Sequence, residues 1–210
     1  MNFLNNYKVI KNEIFELKTE TKIIIVTKNQ SFDNIVPIIN DGHLHFGENK
    51  VQEANLKWGN FLKNEKKIKL HLIGKLQTNK AKDAFDLFDY IHTLDSEKLA
   101  KILSNLESKS EKKIKYFIQL NIGNELQKNG INQSLANEFV KFCCNDLKLN
   151  IIGLMCIPPV NLDPVPFFKK MQELKILNNL SELSMGMSSD YKHALNNGAT
   201  FVRIGSAIFK

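Results

Sequence analysis

Eight short runs of β-branched and aromatic residues recur along this 210-residue chain, at 23–28, 43–46, 70–73, 90–94, 115–121, 149–155, 183–186 and 201–204. Each but the last is followed by a stretch with helical spacing of its apolar residues. Strands alternating with helices predict a parallel sheet, because consecutive parallel strands need a crossover that a helix supplies. About eight such units in this length predict a (β/α)8 barrel. A doubly wound open sheet is the runner-up, but it usually has fewer strands, and no Gly-x-Gly-x-x-Gly follows the first run. Residues 7–18, with Val9, Ile10, Ile14 and Leu17 at helical spacing, add one amphipathic helix ahead of the first strand. No Pro-, Gly- or Ser-rich linker divides the chain, so 1–210 reads as one domain.

The first run, Ile23-Ile24-Ile25-Val26-Thr27-Lys28, has the continuous β-branched character of a strand covered on both faces, and it ends on a lysine. An ammonium at the mouth of an apolar strand is costly to desolvate, which favours a nucleophilic amine. Taken alone, Lys28 reads more simply as the place where the strand meets water. The rest of the chain shifts that balance. In a (β/α)8 barrel the site lies at the carboxyl ends of the strands, where Lys28, Asn49, Ser184, Arg203, Gly205 and Ser206 all fall. Gly205-Ser206 follows the last strand, where barrels commonly bind phosphate on loop amides, and Ser184 after the preceding strand is placed to complete the cradle. The competing reading of these glycines and serines is an ordinary turn. Arg203 alternates with Val202 and Ile204 and so points into the barrel, where its charge needs either a ligand or a carboxylate such as Glu48.

Composition narrows the classes. The formal charge of +7 comes from lysines scattered among acids, so it gives no nucleic-acid footprint. Three cysteines, two of them adjacent at Cys143 and Cys144, make neither a disulfide framework nor a metal-ligand spacing, which fits a reducing, cytoplasmic setting. No apolar run is long enough to span a bilayer, and the first residues lack a signal-peptide pattern. His43 and His45 share a face, but no acidic residue stands at a matching position, so strand histidines read as hydrogen-bonded core residues and no metal site is expected.

Across nearly its whole length the chain resembles the YggS/PROSC-type pyridoxal 5′-phosphate (PLP) binding proteins, or PLP homeostasis proteins. The segments that carry the resemblance are the strand ending in Lys28, His45-Phe46-Gly47-Glu48-Asn49 and His71-Leu72-Ile73-Gly74 with Leu76-Gln77-Thr78-Asn79-Lys80. Further segments are His92-Thr93-Leu94-Asp95, Gly153-Leu154-Met155, Leu183-Ser184-Met185-Gly186-Met187-Ser188 and Val202-Arg203-Ile204-Gly205-Ser206. The resemblance implies a barrel similar to the N-terminal domain of alanine racemase. It implies a Schiff base between PLP and Lys28, phosphate contacts from Ser184, Gly205 and Ser206, Asn49 near the ring, and Arg203 facing the pyridine nitrogen. Thr27, Asn29-Gln30 and Lys75 depart from the common pattern.

An arginine at the pyridine nitrogen keeps it unprotonated and weakens the ring as an electron sink, and no tyrosine stands at a strand end to serve as a second base. The expected function is therefore a non-catalytic, monomeric PLP carrier that serves PLP-dependent apoenzymes. A low-activity racemase-like enzyme, a cofactor-free Schiff-base aldolase and a basic RNA-binding protein are the alternatives.

Overall fold

The computed structural model describes residues 3–17, 20–125 and 127–210. Among these residues nine strands form one sheet: β1 (Lys22–Val26), β2 (His45–Glu48), β3 (Lys69–Leu72), β4 (Tyr90–Leu94), β5 (Lys115–Asn121), β6 (Ile131–Asn132), β7 (Ile151–Cys156), β8 (Glu182–Met187) and β9 (Phe201–Ile204). Every pairing is parallel, in the order β4-β3-β2-β1-β9-β8-β7-β5, and a further pairing of β4 with β5 closes the ring. The chain is thus an eight-stranded closed parallel barrel, and the two-residue β6 attaches to β5 outside the ring. Helices α1 (Phe3–Glu16), α2 (Phe32–Asn40), α3 (Val51–Trp58), α4 (Ala81–Leu87), α5 (Glu97–Glu107), α6 (Ala136–Lys141), α7 (Val165–Leu177), α8 (Tyr191–Leu195) and α9 (Ser206–Phe209) flank it.

Side-chain alternation along the strands sorts the core into two parts. Ile23 and Ile25 of β1, Phe46 of β2, Leu70 and Leu72 of β3 and Val202 and Ile204 of β9 face outward into the layer between sheet and helices. Ile24, Tyr90, Phe117, Met155 and Phe201 point inward and fill the barrel. The inner space also holds buried polar groups, among them His71, His92, Ser184 and Arg203. The rings are stacked against one another: His71 lies on Tyr90 and His92 on Phe117, each pair with centroids 4.2 Å apart.

Several element boundaries differ from the sequence-based expectation. Strand β1 ends at Val26, so Lys28 stands in the turn beyond it. Strand β2 begins at His45 and leaves His43 outside the sheet. The first helix starts at Phe3 and buries Tyr7 with Ile10 and Ile14, whereas Val9 and Leu17 are half exposed; Lys18 lies outside the described residues. The helical spacing that follows the fifth run extends over 132–147, where the structure has a 3-10 turn, α6 and a π-helical turn at Phe142–Asp146 in succession.

Candidate functional site

The carboxyl ends of neighbouring strands bring together residues from opposite ends of the sequence. Strands β1 and β9 pair in the register Ile24 to Arg203 and Ile25 to Ile204, so the turn with Lys28 emerges beside the Gly205-Ser206 loop. On its other side β1 pairs with β2, which delivers Asn49. A cavity of about 360 Å³ opens there, a size typical of small-molecule sites. Lys28, Asn49, Arg203, Gly205 and Ser206 line it, together with Val26, Ile73, Ile157 and Met187-Ser188-Ser189.

The turn that presents Lys28 is clamped from α3. Asn29 has a left-handed backbone (φ 60°), and its N–H donates to Glu53 Oε1 at 2.6 Å. Lys57 Nζ donates to the Thr27 carbonyl at 2.6 Å, and the Thr27 hydroxyl donates to Glu48 Oε1 at 2.7 Å. Lys28 itself is exposed. Asn49 is fixed by the loop after β3: a Cβ on Gly74 would lie 2.2 Å from the Asn49 carbonyl oxygen, so only glycine permits this approach.

The loop after β9 offers backbone amides to an oxygen. Ser188 Oγ accepts from the N–H groups of Gly205 at 3.3 Å and Ala207 at 3.2 Å. An acceptor oxygen held by two backbone amides, those of Gly205 and of Ala207 in α9, at the carboxyl end of a barrel is the environment a phosphate oxygen needs, so these residues fit a phosphorylated ligand.

Arg203 is buried within the barrel wall yet reaches the cavity. It donates through Nη1 to Ser184 Oγ at 2.8 Å and through Nη2 to the Cys156 carbonyl at 2.9 Å, and burial lowers its pKa from the ordinary value. Glu48 is not its partner. That carboxylate faces outward with Phe46, toward α3, and accepts from Lys57 and Trp58. Ser184 sits behind Arg203 rather than in the cavity lining. Ser184 is fully buried between Arg203 and His92, flanked by the outward-facing Leu183 and Met185, and does not line the cavity. Ser188, four residues on, does. The alternation that sends Arg203 inward sends Ser184 inward too, which was the available signal.

Other candidates resolve as structure. His43 meets Tyr7 and the His45 carbonyl, whereas His45 meets His71, so the two do not converge on one point. Among the described residues no group of three or more His, Cys, Asp or Glu is placed to hold a metal ion. Burial pushes the Cys156 thiol up to about 12, which removes it as a nucleophile. No helix among the described residues is long and apolar enough to cross a membrane.

The family described as alanine racemase, N-terminal domain, matches residues 1–210. A pyridoxal phosphate homeostasis protein of Buchnera aphidicola is 35% identical, with 100% of this chain and 98% of that protein covered. The solved structure of PipY from Synechococcus elongatus with PLP bound superposes with a TM-score of 0.86 at 32% identity, covering 100% of both chains. Alanine racemase from Corynebacterium glutamicum shares the fold at a TM-score of 0.70 and 14% identity, over 93% of this chain and 57% of that one. With this likeness running the full length of the chain and the barrel built as described, the chain belongs to the alanine racemase N-terminal domain family and, within it, to the YggS/PROSC-type pyridoxal phosphate homeostasis proteins.

Proposed function

We propose that this chain binds PLP in the cavity at the carboxyl end of the barrel, holds it as a Schiff base on Lys28, and serves PLP homeostasis rather than turnover. The observation that carries this reading is the convergence of an exposed primary amine, a set of loop amides suited to a phosphate and a buried guanidinium on one cavity. PLP offers the matching groups: an aldehyde, a phosphate and a ring nitrogen. Asn49 borders the ring, and Gly205, Ser206 and Ser188 hold the phosphate, with Ser188 taking the part first expected of Ser184. PipY, similar along its whole length, is a PLP-bound structure.

PLP supplies an electron sink when bound, and Arg203 limits that chemistry. A guanidinium donates and does not accept, so the nitrogen facing it stays unprotonated. A racemase also needs a base on each face of the substrate carbon, and all four tyrosines are engaged away from the cavity. Tyr7 meets His43, Tyr90 stacks on His71, Tyr116 donates to Glu107 and Tyr191 donates to Glu13. The whole chain acts as one monomeric binding domain in the cytoplasm and passes PLP to dependent apoenzymes.

The protein incubated with PLP and desalted is expected to stay yellow, to lose its visible absorbance on borohydride reduction, and to bind no colour after Lys28→Ala. A wild-type protein that emerges colourless overturns the proposal. Alanine held with the loaded protein in heavy water is expected to keep its α-hydrogen; sustained exchange would make the protein an enzyme.

A further inference from the structure

Three histidines inside the barrel contribute nothing to the cavity lining, yet they connect end to end with a residue that does. His45 Nδ1 lies 2.9 Å from His71 Nε2, His71 Nδ1 lies 2.9 Å from His92 Nε2, and His92 Nδ1 lies 2.9 Å from Ser184 Oγ. Ser184 Oγ is 2.8 Å from Nη1 of Arg203, which borders the cavity. The chain therefore starts at the amino-terminal end of β2, passes through β3 and β4, and crosses the interior to β8 and β9.

Chemistry fixes its direction. The guanidinium has only donors, so Ser184 Oγ accepts from Arg203. The hydroxyl hydrogen then goes to the other partner of that oxygen, His92 Nδ1, which must be the bare ring nitrogen. A neutral imidazole with bare Nδ1 carries its proton on Nε2, so His92 donates to His71 Nδ1, and His71 in turn donates to His45 Nδ1. Every link joins Nδ1 of one ring to Nε2 of another, so a single tautomer satisfies all three rings. The opposite direction would strand the buried Ser184 hydroxyl hydrogen, at the cost of an unmade hydrogen bond.

The surroundings keep this arrangement neutral and still. Burial lowers His45 to about 4 and holds His71 and His92 well below their ordinary value, with the Arg203 charge adding to the effect at His92. Lys22, Lys69 and Lys115 oppose a charge on His45, against Asp89 alone. Stacking on Tyr90 and Phe117 fixes the planes of His71 and His92, and Phe201 meets all three rings. Each ring thus turns a lone pair toward Arg203 and an N–H away from it. Among the described residues Arg203 has no carboxylate hydrogen-bond partner; Asp190 attracts its charge from farther off, and the aligned dipoles solvate it directly.

We propose that His45, His71, His92 and Ser184 form a one-way hydrogen-bond relay that solvates and orients Arg203 from behind, as positioning residues for the cofactor. The guanidinium then meets the cavity with its charge uncancelled by a paired anion. The cofactor half of this inference rests on the PLP reading above; the orientation of the relay does not.

Nitrogen-15 NMR of the imidazoles in protein free of PLP tests the orientation directly. His45, His71 and His92 are expected as neutral Nε2–H tautomers at neutral pH; an Nδ1–H tautomer or a charged ring at any of them overturns the relay. Ser184→Ala removes the constraint at the arginine end, and mixed tautomers are expected at His71 and His45, which Ser184 does not touch. Unchanged tautomers there show that the direction is not imposed from Arg203. For the loaded protein, His92→Phe keeps a ring on Phe117 but removes the acceptor, and PLP is expected to be held roughly ten-fold more weakly. His92→Asn, whose carbonyl restores an acceptor near Ser184, is expected to recover most of that loss. Equal retention in both variants overturns the positioning role. Correct tautomers in a protein that takes up no PLP overturn the proposed function and leave the relay standing.

Discussion

Glu48 gathers three donors on one oxygen: the Thr27 hydroxyl at 2.7 Å, Lys57 Nζ at 2.9 Å and Trp58 Nε1 at 2.9 Å, while its second oxygen is buried with no hydrogen-bond partner among the described residues. Its carboxylate is fully buried, and the Lys57 side chain is only 9% exposed. Breaking such a pair from one side leaves the other charge uncompensated, so Glu48→Ala is expected to lower unfolding stability by about 3–5 kcal/mol. Urea titration of the ligand-free protein measures it, and a change below about 1 kcal/mol would show that Glu53 and the Thr27 carbonyl alone satisfy Lys57. Because Thr27 precedes the proposed cofactor lysine, the same variant is expected to loosen the turn that presents it. From residue types alone Glu48 stood as a partner for Arg203. The alternation of Phe46 outward and Gly47 inward places it on the other side of the barrel wall, where a helix rather than a strand supplies the counter-charge.

The strand-to-helix loops carry the site, and the loop after β3 shows how little freedom they have. In Gly74→Ala the new methyl would meet the backbone of Asn49 at 2.2–2.8 Å, where nothing flexible can yield. The fold is expected to persist, since the clash sits in a loop outside the sheet ladder, while Asn49 retreats and PLP retention falls. A far-ultraviolet spectrum like the parent's, with a faster loss of yellow colour on dialysis, is the expected pair of results; unchanged retention would place Asn49 outside the binding geometry. At this scale the strand and helix alternation was legible because the apolar runs are long and periodic. The two-residue β6 and the four-residue α9 were not, because neither spans a period of its own pattern. The helix over 132–147 hid its π-helical turn because the spacing of apolar residues there fits a regular helix as well.

For the molecule as a whole, the buried histidines set a limit toward acid. His43 and His45 are lowered to about 4, and His71 and His92 are held well below the ordinary value, chiefly by burial. An unfolded histidine titrates near 6.5, so between about pH 6.5 and 4 the unfolded chain binds protons that the folded chain refuses, and stability falls as pH falls. Each such histidine contributes up to about 1.4 kcal/mol per pH unit in that window. The urea midpoint is expected to hold near neutrality and drop steeply below about pH 6, and an unchanged midpoint at about pH 5 would contradict the burial of these rings. Parity in the sequence pointed Arg203 inward, but it did not show that the barrel would fill with imidazoles bonded to one another; that depends on which strands become neighbours. One such adjacency, β1 beside β9, has a consequence for biogenesis. The turn with Lys28 is synthesised early and the Gly205-Ser206 loop almost a whole chain later, so a nascent polypeptide carries the proposed cofactor lysine without the loop proposed to hold the phosphate. On the proposed site, loading follows ring closure, and every molecule passes through an apo stage first.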